Sequence, residues 1–218
     1  MKKYILLLAL TIIAYNSLAQ QRKYSHFHEQ RNSLFELLPI SSTDIVFIGN
    51  SITNGGEWSE LFSNDKVRNR GISGDKSAGI PERIDYILAG EPQKIFLMIG
   101  INDIATDVPI DTIAANIEQT IQIVQNKSKS IRLFLQSVLP VNPDFDMFHK
   151  HMKPDKIKEL NNRIIQLAED YGVTYIDLYS HFVETGTDKM NPAYTNDGLH
   201  LMGKGYLHWR DLILPYMY

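Results

Sequence analysis

From Asp44 to Thr53 the chain reads DIVFIGNSIT, and its apolar run Ile45-Val46-Phe47-Ile48 stops abruptly at Gly49-Asn50-Ser51. An unbroken run of β-branched and aromatic side chains suits a strand covered on both faces. Similar stretches recur at Lys94 to Ile99 (KIFLMI), Ile131 to Val138 (IRLFLQSV) and Val173 to Leu178, with a marginal one at Lys66 to Asn69. Helical patterns fill the intervals. Tyr24 to Leu38 carries Phe27, Leu34, Phe35, Leu37 and Leu38 as apolar positions before the stop at Pro39, and Trp58 to Phe62 is a short helix. Ile80, Ile84, Ile87 and Leu88 share one face, and Ile113, Ile117, Ile121 and Val124 form a stripe that Asp111 can cap. Asp155 to Tyr171 turns Ile157, Leu160, Ile164, Leu167, Ala168 and Tyr171 inward before Gly172. Gly205 to Tyr218 packs through Tyr206, Trp209, Leu212 and Ile213. Strands alternating with helices predict an α/β protein with a parallel sheet covered on both faces.

At 218 residues the chain suffices for one domain with a substantial core. Residues 1–19 read as a signal peptide: Lys2 and Lys3 are a positive start, Ile5 to Tyr15 is apolar, and Ser17-Leu18-Ala19 is a cleavage site before Gln20. The apolar run is short for a membrane span. Residues 20–218 are then one exported domain, periplasmic or secreted, with no stable membrane insertion after processing. Its sequence has no cysteine, which excludes disulfides, thiolate catalysis and lipid attachment through cysteine. Without Lys2 and Lys3, 20 basic residues face 25 acidic ones, a formal charge of −5. No basic tract interleaved with aromatics provides an electrostatic footing for nucleic acid.

Three polar positions follow expected strands: Ser51, Gly74 in the loop Arg70-Gly71-Ile72-Ser73-Gly74-Asp75, and Asn102 in Gly100-Ile101-Asn102-Asp103. Parallel strands present such ends along one edge, where α/β sheets bind ligands. Asp197 and His200 lie on a late loop with two residues between them, so one tight turn can present both. A serine hydroxyl becomes a nucleophile when a base within hydrogen-bond reach takes its proton. Histidine titrates in the right range, and an aspartate on its other nitrogen fixes tautomer and orientation. Oxyanion charge requires donors, for which the Ser51 N–H, the Gly74 N–H and the Asn102 amide are candidates.

These motifs resemble those of the SGNH hydrolase superfamily, also called the GDSL lipase/esterase family, across nearly the whole chain after residue 19. Gly49-Asn50-Ser51-Ile52 stands in the place of its glycine-aspartate-serine-leucine motif, so the resemblance makes Ser51 the nucleophile. Gly74 and Asn102 match the oxyanion-hole glycine and asparagine, and Asp197-Gly198-Leu199-His200 matches the acid and base of the triad. It implies a three-layer α/β/α, flavodoxin-like fold with a parallel five-stranded sheet in order 2-1-3-4-5. It also implies ester hydrolysis with no cofactor and no metal. Asn50 departs from the family aspartate, keeping an acceptor oxygen but losing a charge, and Ile52 departs from leucine. The G-x-S-x-G signature of the α/β-hydrolases is absent, since Thr53 holds its last position.

The long loop Leu139 to Pro154 contains Phe145, Met147, Phe148, His149 and His151. Phe145, Phe148, His149, His151 and Trp58 are candidate walls of the substrate site, with core packing the competing role for Trp58. His149 and His151 lack a third ligand at motif-like spacing. Asp103 reads as a capping group, while His26, His28, His181 and His208 read as structural or solvated. Resemblance to exported bacterial acetylhydrolases and acetylesterases favours a serine esterase removing short acyl, chiefly O-acetyl, groups from a small-molecule or glycan ester. The alternatives are a phospholipid, lysophospholipid or thioester acylhydrolase and a noncatalytic glycan-binding module.

Overall fold

The computed structural model describes residues 23–218, so the expected signal peptide lies outside the described residues. The strands are β1 (Ile45–Gly49), β2 (Val67–Gly71), β3 (Lys94–Met98), β4 (Arg132–Gln136) and β5 (Thr174–Ile176). They form one parallel sheet in the order β2-β1-β3-β4-β5. The longer helices are α1 (His26–Leu37), α2 (Ile110–Lys127), α3 (Pro154–Tyr171) and α4 (Gly203–Ile213). Strand order reverses direction once, between β1 and β3. Right-handed crossovers then put the segment joining β1 to β2 on one face and α2 and α3 on the other. Ser51 follows β1 and Asn102 follows β3, so the two flank the crevice where doubly wound sheets bind ligands.

Every residue of β1 and β3 is buried, as their apolar composition requires. Parallel register aligns Phe47, Phe96 and Phe134 on three adjacent strands. Their rings stack at 4.8 and 4.6 Å between centroids, making a rigid aromatic row beneath the strand ends. Lys94, at the start of β3, is fully buried and donates from Nζ to the Tyr216 carbonyl at 2.8 Å. Burial lowers its pKa.

Several expectations are corrected. Asp111 does not cap α2: Pro109 precedes the helix, no side chain caps it, and the Asp111 carboxylate lies 3.4 Å from Arg163. A negative charge in the first turn still suits the helix dipole. The stripe from Ile80 to Leu88 falls on two short helices, Gly79–Arg83 and Asp85–Leu88. Of the apolar positions read for the first helix, only Phe35 is buried, while Phe27, Leu34, Leu37 and, just past α1, Leu38 are exposed. β4 ends at Gln136 rather than Val138 because Asn161 replaces the ladder. Its side chain accepts from the Val138 N–H at 2.8 Å and donates to the Val138 carbonyl at 3.0 Å.

Candidate active site

Ser51 begins a one-turn helix, Ser51–Asn54, capped by Asn50, whose Oδ1 accepts from the Ile52 N–H at 3.0 Å. The cap requires only an acceptor oxygen, so asparagine serves it without a buried charge. The turn is pinned from two sides. Asn69 on β2 donates to the carbonyls of Thr53, Asn54 and Gly56, and the Tyr206 hydroxyl on α4 donates to the Ile52 carbonyl at 2.9 Å.

Ser51 Oγ lies 3.0 Å from His200 Nε2, and His200 Nδ1 lies 2.7 Å from Asp197 Oδ2. The other Asp197 oxygen accepts from the backbone N–H groups of Leu199 and His200 at 2.8 and 2.7 Å. Gly198 makes the turn possible: its φ is +80°, and a Cβ there would stand 2.3 Å from the Asn142 carbonyl oxygen. Partial burial alone would raise the pKa of Asp197. The two backbone N–H groups and the His200 ring outweigh it, holding the carboxyl below the usual range.

Gly74 is exposed, adopts φ +81°, and has open space where a side chain would project. Asn102 donates from Nδ2 to the Asp75 carbonyl at 2.9 Å, which couples it to the loop carrying Gly74. Asp103 tightens the same junction by accepting from the Ser77 N–H and hydroxyl at 2.9 and 2.7 Å. Beneath, the buried Asp75 carboxylate receives Arg83 Nε at 2.7 Å, and Arg83 also reaches the Gly49 carbonyl at 3.2 Å. Neither Asp75 nor Arg83 was marked by the sequence pattern, because a buried ion pair eight residues apart leaves no periodic signal. A cavity of about 260 Å³ opens beside Gly74, lined in part by Tyr24, Ser25, His28 and Ala78.

Not every candidate wall residue belongs here. Trp58 is core: its ring stacks on Phe47 at 4.2 Å, meets Trp209 edge-on at 4.7 Å, and donates Nε1–H to the Thr53 carbonyl at 2.8 Å. Of the two roles the sequence left open for Trp58, core packing is the one it takes. His149 faces solvent, 3.4 Å from Asp146. Phe145 is half-buried and packs beside Gly198. Phe148 and His151 do reach the site. The Phe148 ring stands edge-on 5.0 Å from that of His200, and His151 Nε2 lies 3.1 Å from Asn102 Oδ1. Among the described residues no group of three or more His, Cys, Asp or Glu side chains is placed to hold a metal ion.

Residues 47–207 match the model of the GDSL-like lipase/acylhydrolase family. The chain belongs to that family. As a GDSL-like acylhydrolase it is a serine carboxylic ester hydrolase. Its fold covers 96% of the chain and 99% of a Streptococcus pneumonia structure provisionally described as a platelet activating factor, with a TM-score of 0.82 and 28% identity. A GDSL-like lipase from Bacteroides thetaiotaomicron matches over 87% of this chain and 96% of its own, at a TM-score of 0.75 and 26% identity. The acetyl xylan esterase AlAXEase shares the fold at a TM-score of 0.68 and 23% identity, over 80% of this chain and 100% of its own. In sequence the GDSL-like chain is 28% identical over 193 residues to an N-acylneuraminate cytidylyltransferase of Escherichia coli O18:K1:H7, strain RS218 / NMEC. That match takes in 85% of this chain but only 42% of the relative's length.

Proposed function

We propose that the protein removes short acyl groups, chiefly O-acetyl, from a carbohydrate by a two-step serine mechanism. The observation that carries this reading is the continuous relay from Ser51 Oγ through His200 to Asp197, at 3.0 and 2.7 Å. His200 Nε2 takes the Ser51 proton as Oγ attacks the ester carbonyl carbon, and the carbonyl π electrons move onto oxygen. The N–H groups of Ser51 and Gly74 and the Asn102 amide hold that oxyanion, and losing one such donor typically costs about 3 kcal/mol of barrier. Collapse expels the alkoxide, which takes the proton from His200. Water then repeats the sequence on the acyl-enzyme and releases the acid. Asp197 keeps the Nδ1 hydrogen in place and stabilises the imidazolium.

The short-acyl preference takes its support from the acetyl xylan esterase that shares this fold. The names of the relatives, one an acetyl xylan esterase and one acting on an N-acylneuraminate, lend support to a glycan ester. The proposal includes export after removal of residues 1–19, which intact mass of the natively secreted protein would test by a start at Gln20.

Acetate release from a panel of acetylated glycans, with Ser51→Ala as control, is the decisive experiment. The expected result is release by the wild type and none by the variant. A p-nitrophenyl ester series should favour two to four carbons, and preference for eight or more would overturn the short-acyl reading.

A further inference from the structure

His151 is a residue of the long loop after β4, yet its ring is directed at the asparagine of the oxyanion site rather than at Ser51. Its Nε2 lies 3.1 Å from Asn102 Oδ1. An amide oxygen only accepts, so Nε2 must carry the hydrogen and donate it. The imidazole is then the Nε2–H tautomer, with Nδ1 left as a buried nitrogen lacking a hydrogen-bond partner. The Asn102 amide is thereby gripped at both ends, by the Asp75 carbonyl on Nδ2 and by His151 on Oδ1. One Nδ2 hydrogen remains free.

Two further features hold the ring in this role. Phe148 adopts a left-handed backbone, φ +51° and ψ +37°, which is costly for an aromatic residue and persists only where surroundings enforce it. Its ring stands edge-on to both imidazoles, 5.8 Å from His151 and 5.0 Å from His200. One aromatic ring therefore packs against both histidines. Burial, and secondarily the charges of His200 and Lys153, lowers the pKa of His151 against the opposing influence of the Phe148 backbone. The neutral form that the geometry requires is also the one that the environment favours.

We infer that His151 is a positioning residue for the oxyanion hole: its Nε2–H orients the Asn102 amide and, by withdrawing electron density from Oδ1, makes the free Nδ2 hydrogen a stronger donor. The inference rests on the serine-esterase reading of the same site. Since it acts on charge that develops only in the transition state, its loss should appear in kcat and leave KM nearly unchanged.

The test is steady-state hydrolysis of p-nitrophenyl acetate by the wild type, His151→Phe, His151→Gln, Asn102→Ala and the double variant His151→Phe/Asn102→Ala. Loosening a catalytic group by a fraction of an ångström costs on the order of 10- to 100-fold. His151→Phe, which keeps a ring but has no donor, should lose that much in kcat. His151→Gln, whose amide can donate to Asn102 Oδ1, should recover most of it. In the Asn102→Ala background, His151→Phe should change kcat less than about twofold, because the group it serves is gone. An unchanged kcat in His151→Phe, or an equal loss with and without Asn102, would overturn the inference while leaving the esterase reading intact. A wild type with no turnover would overturn both.

Discussion

Asp197 divides its oxygens between two tasks, one holding the backbone of the turn and the other holding the imidazole. Substitution separates them. Asp197→Asn keeps an oxygen for the Leu199 and His200 N–H groups but turns an amide hydrogen toward Nδ1, forcing the ring into the tautomer that points a hydrogen at Ser51. We expect kcat to fall by about 10⁴-fold with little change in melting temperature. Asp197→Ala should lose both activity and melting temperature, measured by thermal unfolding. His151 gives a pH signature. The charged and polar groups around it are His200, Lys153 and Asn102, and the Phe148 ring packs against it. Its pKa is lower folded than unfolded, so the unfolded chain takes up a proton first as pH falls through the ordinary value of about 6.5. Stability is therefore full above that value and is lost on acidification toward the folded pKa. Melting temperature should drop more between pH 7 and 5 in the wild type than in His151→Gln, and parallel curves would contradict this.

At the scale of elements, β1 and β3 hold the site up through buried groups that never meet substrate. Trp58→Phe removes one bond to the Thr53 carbonyl, which keeps Asn69 as a donor, so a cost of about 0.5–1.5 kcal/mol is expected in chemical unfolding. KM should be unchanged, and a large rise would return Trp58 to the substrate wall. Arg83→Met leaves the buried Asp75 carboxylate uncompensated, at a cost of about 3–5 kcal/mol. β1, β3 and the helix 154–171 were legible because runs of Val, Ile, Phe and Leu with glycine ends leave few alternatives. The Ser51–His200–Asp197 constellation was legible because Ser51 follows a strand, Asp197 and His200 share one turn, and the three together resemble a family's motifs. What stayed hidden depends on where side chains point after folding. Trp58 turning inward, His151 reaching Asn102 while His149 faces solvent, and Asn161 terminating β4 are long-range choices of rotamer and partner. The exposure of Leu34 and Leu37 on α1 is similar, since apolar spacing indicates a helix but not whether a surface awaits each position.

Across the whole molecule, residues with chemical roles sit on short helices and loops that follow the strands at one edge of the sheet, while cohesion resides in the aromatic row and the strands below. Loop substitutions at that edge can thus change turnover without unfolding the protein. The opposite edge is less forgiving. The Lys94 ammonium, sealed at the foot of β3, relies on a carbonyl 122 residues later, at Tyr216. Anyone trimming the tail for crystallisation should therefore keep residues through 216 or change Lys94 to methionine at the same time. A fusion partner added after residue 218 leaves that carbonyl where the ammonium needs it.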